Sequence, residues 1–325
     1  MTSPVYINTL LVVTNSMDGT TDTLTRIATE RGIGLFRLNT DLLTDYKICI
    51  KPGNFEIQDP TGRQVRLSEL EACYVRKPWI NGGEPWLAFP ETEQAWVKGQ
   101  LRRMVRELLN LCRLRGVLRL IEPGADRRLD KLTQMQVAAC YFDVPQWEYL
   151  FNCRADPGER VTKPLDPEVV ETPWRRFVYT EVVEASHLDP RYPWLIQDKA
   201  PGIHDTTVVY VAGKCFAFRI ARRRDEEGPT DWRENINTTH SDTWERYDLS
   251  DNLVLSCRNF MRDVGLLYGR FDFIAEDSGR HWFLEVNSNG QYGWLDEGDD
   301  TFAIHHAVLD AVLDSANTIP FTEWH

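Results

Sequence analysis

Apolar and polar residues near the start of the chain alternate in a strand, helix and strand pattern. Residues 10–14 form a short apolar run, and residues 20–31 place apolar side chains at helical spacing before Gly32. Residues 33–38 then return to a strand pattern. A β-α-β opening of this kind is typical of a sheet covered by helices. The first loop contains neither GxGxxG nor a Gly-Lys-Ser/Thr pair, so we expect no dinucleotide or P-loop site there.

The same two periodicities continue along the rest of the chain. They predict helices over residues 91–112, 130–140, 249–264 and 302–313. They predict strands within residues 46–72, 72–76, 160–165, 193–200, 206–211 and 214–220. Residues 222–247 are polar and are predicted to form a loop or lid. The fold class is therefore α/β (α+β).

Acidic residues interrupt the last predicted hairpin. Residues 269–275 and 281–286 mix aromatic and branched apolar residues, and a polar turn separates them. Asp272 and Glu285 lie inside these apolar runs, and Asn287 follows Glu285 by two positions. Because strand side chains return to the same face every second residue, we expect the three side chains to converge.

Two buried carboxylates on neighbouring strands repel each other and lose hydration. A divalent cation relieves both costs, and Mg²⁺ prefers oxygen ligands that it shares with substrate phosphates. Asp272, Glu285 and Asn287 are therefore a candidate magnesium site. The pattern alone leaves another interpretation open, in which Asp272 is an edge residue and Glu285 pairs with an arginine such as Arg270.

Composition narrows the classes of function. The chain has 325 residues, of which 42% are hydrophobic, and this is enough for two or three lobes. Its net charge of −12 argues against nucleic acid as a partner. Arginines nevertheless cluster at residues 102–119 and 219–224, and we expect these clusters to contact phosphate or an acidic peptide.

The location and redox state follow from what the sequence lacks. It has no apolar stretch long enough to span a membrane, and its N-terminus has no signal-peptide pattern. We therefore expect a cytoplasmic protein without a membrane partner. The seven cysteines show no CxxC spacing, and this argues against a disulfide framework and a zinc site.

The acidic hairpin also carries a family resemblance. Residues 269–294 read GRFDFIAEDSGRHWFLEVNSNGQYGW, which resembles the C-terminal signature of ATP-grasp ligases. Within them it is most similar to the maturases of ribosomally made, crosslinked peptides of the microviridin or graspetide type. The resemblance implies an ATP-grasp fold with an N-terminal Rossmann-like pre-ATP-grasp lobe (residues 1–120), a central lobe (121–196) and a C-terminal catalytic lobe (197–325). It also implies that Asp272, Glu285 and Asn287 hold the Mg²⁺ ions that bridge the phosphates of ATP.

Further segments match the maturases in the same order along the chain. The matching segments are DKLTQMQ with Lys131, RVTKPL with Lys163, the hinge residues Gln197, Asp198, Lys199 and Ala200, and the tripeptide Asp231-Trp232-Arg233. The resemblance implies that the two lysines bind nucleotide phosphates, that the hinge backbone binds adenine, and that Arg233 approaches the γ-phosphate and the acyl-phosphate. Many relatives carry an arginine where this chain has Thr206 or Thr207, so Arg219 or Arg222 is the expected replacement.

The implied function is the ATP-dependent macrocyclisation of a precursor peptide. Asp or Glu side chains are converted to acyl-phosphates, which Ser or Thr hydroxyls attack to form esters and Lys amines attack to form amides. The implied partner is a peptide with a leader and an acidic core, and the implied assembly is a homodimer. Two alternatives stay open: a ligase of free amino acids or of protein glutamate, and a non-catalytic peptide-binding module on the same scaffold.

Overall fold

The computed structural model describes residues 9–78, 84–163, 165, 180–222, 244–296 and 301–320. Four sheets are found within these ranges. No helix in the described part of the chain is long and apolar enough to cross a membrane.

The first sheet is built around β1 (Thr9–Thr14) and is covered on both faces. β1 pairs in parallel with β2 (Gly34–Asn39) on one side and with β6 (Ala72–Val75) on the other. The remaining elements of this part of the chain are α1 (Gly19–Glu30), β3 (Lys47–Lys51), β4 (Asn54–Gln58), β5 (Gln64–Arg66), α2 (Glu91–Leu114) and β7 (Leu118–Arg119). β3, β4 and β5 form a small antiparallel sheet of their own.

Strand alternation explains why both faces of this sheet are apolar. Leu10 and Val12 lie in one buried cluster with residues of α1, whereas Leu11 and Val13 lie in a second cluster with residues of α2. A strand buried on both faces reads as a continuous apolar run, as LLVV does here.

The middle of the chain contributes a small antiparallel sheet and two helices. Its elements are α3 (Ala125–Arg128), α4 (Lys131–Ala138), β8 (Trp147–Leu150), β9 (Glu159–Lys163), β10 (Glu181–Glu184) and β11 (Trp194–Gln197). The strand order is β10-β9-β11-β8. Phe142, which follows α4, stacks on Phe283 with ring centroids 5.6 Å apart, so this sheet region is anchored to the last hairpin.

The largest sheet comes from the last third of the chain. Its elements are β12 (His204–Val211), β13 (Lys214–Ala221), β14 (Glu245–Arg246), α5 (Asp251–Asp263), β15 (Tyr268–Ala275), β16 (His281–Asn287), α6 (Gly293–Asp296) and α7 (Ala303–Leu313). The strands run in the order β14-β13-β12-β15-β16. One face packs on α5, where Phe260 contacts Phe271 with ring centroids 5.5 Å apart.

A β-bulge in the last hairpin puts Phe283 and Glu285 on opposite faces of the sheet, although regular alternation would put them on the same face. Asp272 pairs with Glu285, but the next residue, Phe273, pairs with Phe283, so Leu284 is the extra residue. Phe283 is fully buried in the α5 cluster, whereas Glu285 lies on the opposite face. The bulge therefore allows the sequence FLE to place an aromatic ring in the core and a carboxylate on the opposite face of the sheet.

The predicted helices and strands are confirmed to within a few residues, and some pairings were not anticipated. The short strands β7 and β14 have two residues each and show no periodicity in the sequence. In addition, the segment after α7 returns to the first sheet. Leu120 N–H donates to Asn317 O at 3.0 Å, and Ile319 N–H donates to Leu118 O at 2.9 Å. The lobe boundaries at residues 120 and 196 stay a prediction.

A buried ion pair joins the first sheet to the loop after β16. Arg76 and Asp18 are 3.1 Å apart, and their side chains are 0% and 2% exposed. Burial alone would raise the pKa of Asp18, but Arg76 and the hydroxyls of Thr21 and Thr14 hold this pKa below its ordinary value. Arg76 also donates to Gly290 O at 3.3 Å.

We expect Arg76→Met to lower the free energy of unfolding by about 3–5 kcal/mol, since it leaves the Asp18 carboxylate buried without its partner. Chemical denaturation followed by circular dichroism measures this loss. Arg66→Met, at an exposed position of the same lobe, is the matched control and should unfold as the wild type does. An Arg76→Met protein as stable as Arg66→Met would contradict the importance of the pair.

Candidate functional site

Two carboxylates face each other across the last hairpin. Asp272 on β15 is the direct cross-strand partner of Glu285 on β16. Their side chains are 23% and 20% exposed, so they are partly open to solvent. They lie on the face of the sheet opposite to α5, which is called the cleft face below. This register follows from the bulge, because it turns Glu285 away from the α5 face.

Asn287 completes the cluster as the sequence predicts. Its Nδ2 donates to Asp272 Oδ2 and to Glu285 Oε1, both at 3.2 Å. The amide thus lies between the two carboxylates, with its NH₂ group directed at them. Because the amide nitrogen and oxygen exchange places by a half-turn, Oδ1 can also be presented at this point. Two carboxylates and an amide oxygen then form an oxygen donor set suited to a hard cation.

Arg270 and Thr207 hold Asp272 in place. Arg270 NH2 donates to Asp272 Oδ2 at 3.0 Å, and Thr207 Oγ1 donates to Asp272 Oδ1 at 3.0 Å. Burial raises the pKa of Asp272, Arg270 opposes this shift, and the charge of Glu285 adds to it. The alternative interpretation expected an arginine on Glu285, but the ion pair of Arg270 is with Asp272. β15 is also an inner strand, so Asp272 is not an edge residue.

Lys131 reaches the acids from the central part of the chain. It is the first residue of α4, and its Nζ lies 3.9 Å from Glu285 Oε2. The helix is docked on β16 because Val286 N–H donates to the side chain of Gln134 at 2.9 Å. Lys131 is therefore positioned where a phosphate bound near Glu285 would need a cation.

The hinge residues lie at the end of β11. Gln197 is buried, and its Nε2 contacts Met135 Sδ at 3.5 Å. Asp198 forms an ion pair with Arg160, and its N–H donates to Gln146 O at 2.8 Å. The backbone N–H of Asp198 is therefore already hydrogen-bonded. The backbone of Lys199 and Ala200 remains the candidate for hydrogen bonds to a ligand.

Lys163 is half-buried at the end of β9. It pairs with Leu195 of β11, the strand that leads into the hinge. Lys163 and the hinge therefore lie on neighbouring strands. Contact of Lys163 with a phosphate stays a prediction.

The structure does not bring Arg219 to the acids. Arg219 pairs with Thr206, which pairs with Phe273, whereas Asp272 pairs with Thr207. Paired residues of antiparallel strands project to the same side, so Arg219 lies on the face opposite to Asp272. There its guanidinium lies 5.1 Å from the ring centre of Tyr247.

The other predicted arginines are placed differently. Arg222 lies beside Asp205, with Nε 3.6 Å from Oδ2, and Asp205 shares the cleft face with Thr207. Arg233 and the rest of residues 223–243 lie outside the described residues. In the other cluster, Arg119 is buried and donates to Gly116 O, so it is not available to a peptide at the surface.

Two neighbours of the acidic pair were missed by the sequence reasoning, and a third, Arg270, was considered only as a partner of Glu285. Arg270 lies two positions before Asp272, so strand alternation would have placed it on the same face. Asp205 and Gln291 could not be found in this way, since the first needs the β12–β15 register and the second lies in a loop. In the described part of the chain, no group of three or more His, Cys, Asp or Glu side chains is arranged to hold a metal ion.

Comparison with known proteins was made at the level of sequence and of structure. No family model and no curated sequence matches the chain. Solved structures do match. An ATP-grasp ligase associated with ribosomally made peptides from Chryseobacterium gregarium, in complex with ADP and a leader and core peptide, has a TM-score of 0.82 and 21% identity, and the match covers 96% of this chain and 98% of that one.

Two further structures have the same fold. The macrocyclase MdnC from Microcystis aeruginosa, bound with its precursor peptide MdnA, has a TM-score of 0.76 and 23% identity, and the match covers 94% of this chain and 99% of that one. The ATP-grasp ligase PsnB, with a phosphomimetic variant of its minimal precursor, Mg and ADP, has a TM-score of 0.71 and 19% identity, with coverage of 93% and 98%. The expected architecture is therefore confirmed: this chain has the ATP-grasp fold.

Proposed function

We propose that the chain is an ATP-dependent ligase that forms crosslinks between side chains of a precursor peptide. The observation that carries the proposal is the acidic pair Asp272 and Glu285 with Asn287 between them, on the cleft face of an ATP-grasp fold. A pure binding module has no use for two carboxylates held against their mutual repulsion. The similar structures contain leader, core and precursor peptides, ADP and Mg, which supports the same ligands here.

The residues present fit a magnesium ion. Asp272, Glu285 and Asn287 would hold it, because they offer oxygen donors that converge from two neighbouring strands. When bound, Mg²⁺ supplies electrostatic stabilisation of the negative charge on the phosphate oxygens. Arg270 and Thr207 keep the Asp272 carboxylate oriented for this task.

The nucleotide is proposed to lie between the central sheet and the acidic hairpin. Lys131 and Lys163 neutralise phosphate charge, and the backbone of Lys199 and Ala200 receives the adenine edge. Asp205 shares the cleft face on the hinge side of Asp272, where it can accept hydrogen bonds from the ribose hydroxyls. The role of Arg233 at the γ-phosphate stays a prediction.

The chemistry proceeds in two transfers. An oxygen of an Asp or Glu side chain of the peptide attacks the γ-phosphorus of ATP, the bond to the bridging oxygen breaks, and ADP leaves with the electron pair. A Ser or Thr hydroxyl, or a Lys amine, then attacks the acyl carbon, phosphate leaves, and the nucleophile loses a proton. Each crosslink therefore removes one water from the peptide and converts one ATP to ADP and phosphate.

The proposed partner is a peptide with a leader and an acidic core. Whether the products are esters or amides depends on which nucleophile the cleft admits. A homodimer and a cytoplasmic location also stay predictions.

Glu285→Gln tests the metal site. Removing one carboxylate should weaken Mg²⁺-dependent binding of ADP by about tenfold to a hundredfold. The variant without ligand should be at least as stable as the wild type, because the charge that raises the pKa of Asp272 is gone. Calorimetric titration and thermal unfolding, each with and without Mg·ADP, measure both effects.

The matched control for this experiment is Asp277→Asn. Asp277 is exposed in the turn of the same hairpin, so its loss should leave Mg·ADP binding unchanged. If Glu285→Gln binds Mg·ADP as tightly as Asp277→Asn does, Glu285 is not a metal ligand.

Mass spectrometry tests the reaction. A candidate precursor peptide encoded beside the gene, incubated with the enzyme, ATP and Mg²⁺, should lose one water per crosslink, and base should cleave the links if they are esters. Glu285→Gln should leave the peptide mass unchanged. An unchanged peptide with wild-type enzyme, together with ATP turnover on free amino acids, would replace this proposal with the free amino acid ligase.

A further inference from the structure

Two cations meet at the boundary between the first sheet and the acidic hairpin. Lys77 follows β6, and Arg270 lies on β15 two positions before Asp272. Gln291 joins their surroundings, because Arg76, next to Lys77, donates to its side chain and Arg270 NH1 donates to its carbonyl at 3.2 Å.

Among the described residues, more cations than anions act on the charge of Lys77. Burial, followed by the charges of Arg76 and Arg270, lowers the pKa of Lys77 to about 8. The attraction acting on Lys77 comes from Asp18, but Asp18 is already paired with Arg76 at 3.1 Å. A half-buried cation that lies beside other cations is typical of a site that receives an anion.

The backbone at Lys77 is held in an unusual conformation. Its φ is +41°, a left-handed value that residues other than glycine adopt infrequently. Asn15 Nδ2 donates to Lys77 O at 2.8 Å and fixes this conformation from the loop after β1. β1 and β6 are parallel neighbours, and the next parallel strands of the sheet, β2 and β7, lie on opposite sides of this pair. In open parallel sheets, ligands bind at the carboxyl ends of the two strands where the strand order reverses in this way.

Arg270 keeps one donor unused. Its NH1 and NH2 groups are bonded to Gln291 O and Asp272, but its Nε is buried without a hydrogen-bond partner in the described part of the chain. Its side chain is 12% exposed. An orphaned charged donor leaves room for a further acceptor at this point.

We propose that Lys77 and Arg270 form a subsite for the carboxylate that the enzyme activates. This inference rests on the proposed function. It places the carboxylate of the peptide on the side of the acidic pair that faces the first sheet. Lys131 reaches Glu285 from the opposite, central side, where the nucleotide phosphates are proposed to lie. The anion at Lys77 is therefore the side chain of the peptide and not a phosphate. Arg219 does not take this role, because it lies on the other face of the sheet.

Lys77→Met tests the subsite without removing a contact to Asp272. The KM for the precursor peptide should rise about tenfold, the loss expected for one hydrogen bond to a charged group, while the affinity for Mg·ADP stays unchanged. Lys77→Arg should restore most of the peptide KM. Lys51→Met, an exposed lysine on β3 of the same lobe, is the matched control and should behave as the wild type.

Other outcomes overturn the inference in distinct ways. A peptide KM unchanged in Lys77→Met would remove Lys77 from the site. A weakened affinity for Mg·ADP with an unchanged peptide KM would assign the anion to the nucleotide. Thermal unfolding of both lysine variants separates either result from misfolding.

A small probe keeps this test independent of the proposed reaction. In the presence of Mg·ADP, N-acetylglutamate amide should shift NMR signals of the wild type more strongly than N-acetylglutamine amide does, and this preference should vanish in Lys77→Met. Equal responses to the two probes in the wild type would refute the carboxylate subsite. A clear preference with no turnover of any peptide would retain the subsite and refute the macrocyclase.

Discussion

The repulsion between Asp272 and Glu285 is the constraint that organises this molecule. Two carboxylates placed opposite each other on adjacent strands cost free energy in every state that lacks a cation. The structure lowers this cost with Arg270 and Thr207 on one acid and Lys131 near the other. Asn287 then bridges the pair with a neutral amide. The remaining cost would be relieved by the proposed Mg²⁺ ion and would then favour its binding.

The acidic cluster is kept in position by a rigid loop and a distant lobe. Gly290 follows Asn287 by three residues, and a Cβ there would lie 2.6 Å from the Cβ of Arg270, so only glycine allows this approach. Its carbonyl accepts from the hydroxyl of Tyr268 at 2.7 Å and from Arg76. Arg76 of the first sheet thus holds the loop that follows Asn287, one of the proposed metal ligands.

The sequence predicted most elements and the acidic cluster, and its failures have identifiable physical causes. Asp272, Glu285 and Asn287 were found because strand alternation is local. Arg219 was expected near the site from the resemblance, but it lies on the other face of the sheet. The sequence could not show this, because the register between β12 and β13 is not visible in either strand and a shift of one residue exchanges the faces. The bulge at Leu284 was equally hidden, since FLE fits a regular strand. The buried pair of Arg76 and Asp18 joins residues 58 positions apart, which no periodicity can indicate.

The return of the chain to its first sheet has a consequence for how the protein is made. Leu10 on β1 and Val308 on α7 lie in the same buried cluster, although almost the whole described chain separates them. A nascent chain that has emerged from the ribosome only as far as β7 therefore exposes the apolar face of β1 and β6 that α7 later covers. Contacts this distant along the chain form slowly, and the uncovered face is prone to aggregation in the meantime. The core around the first sheet is therefore complete only after α7 has been synthesised.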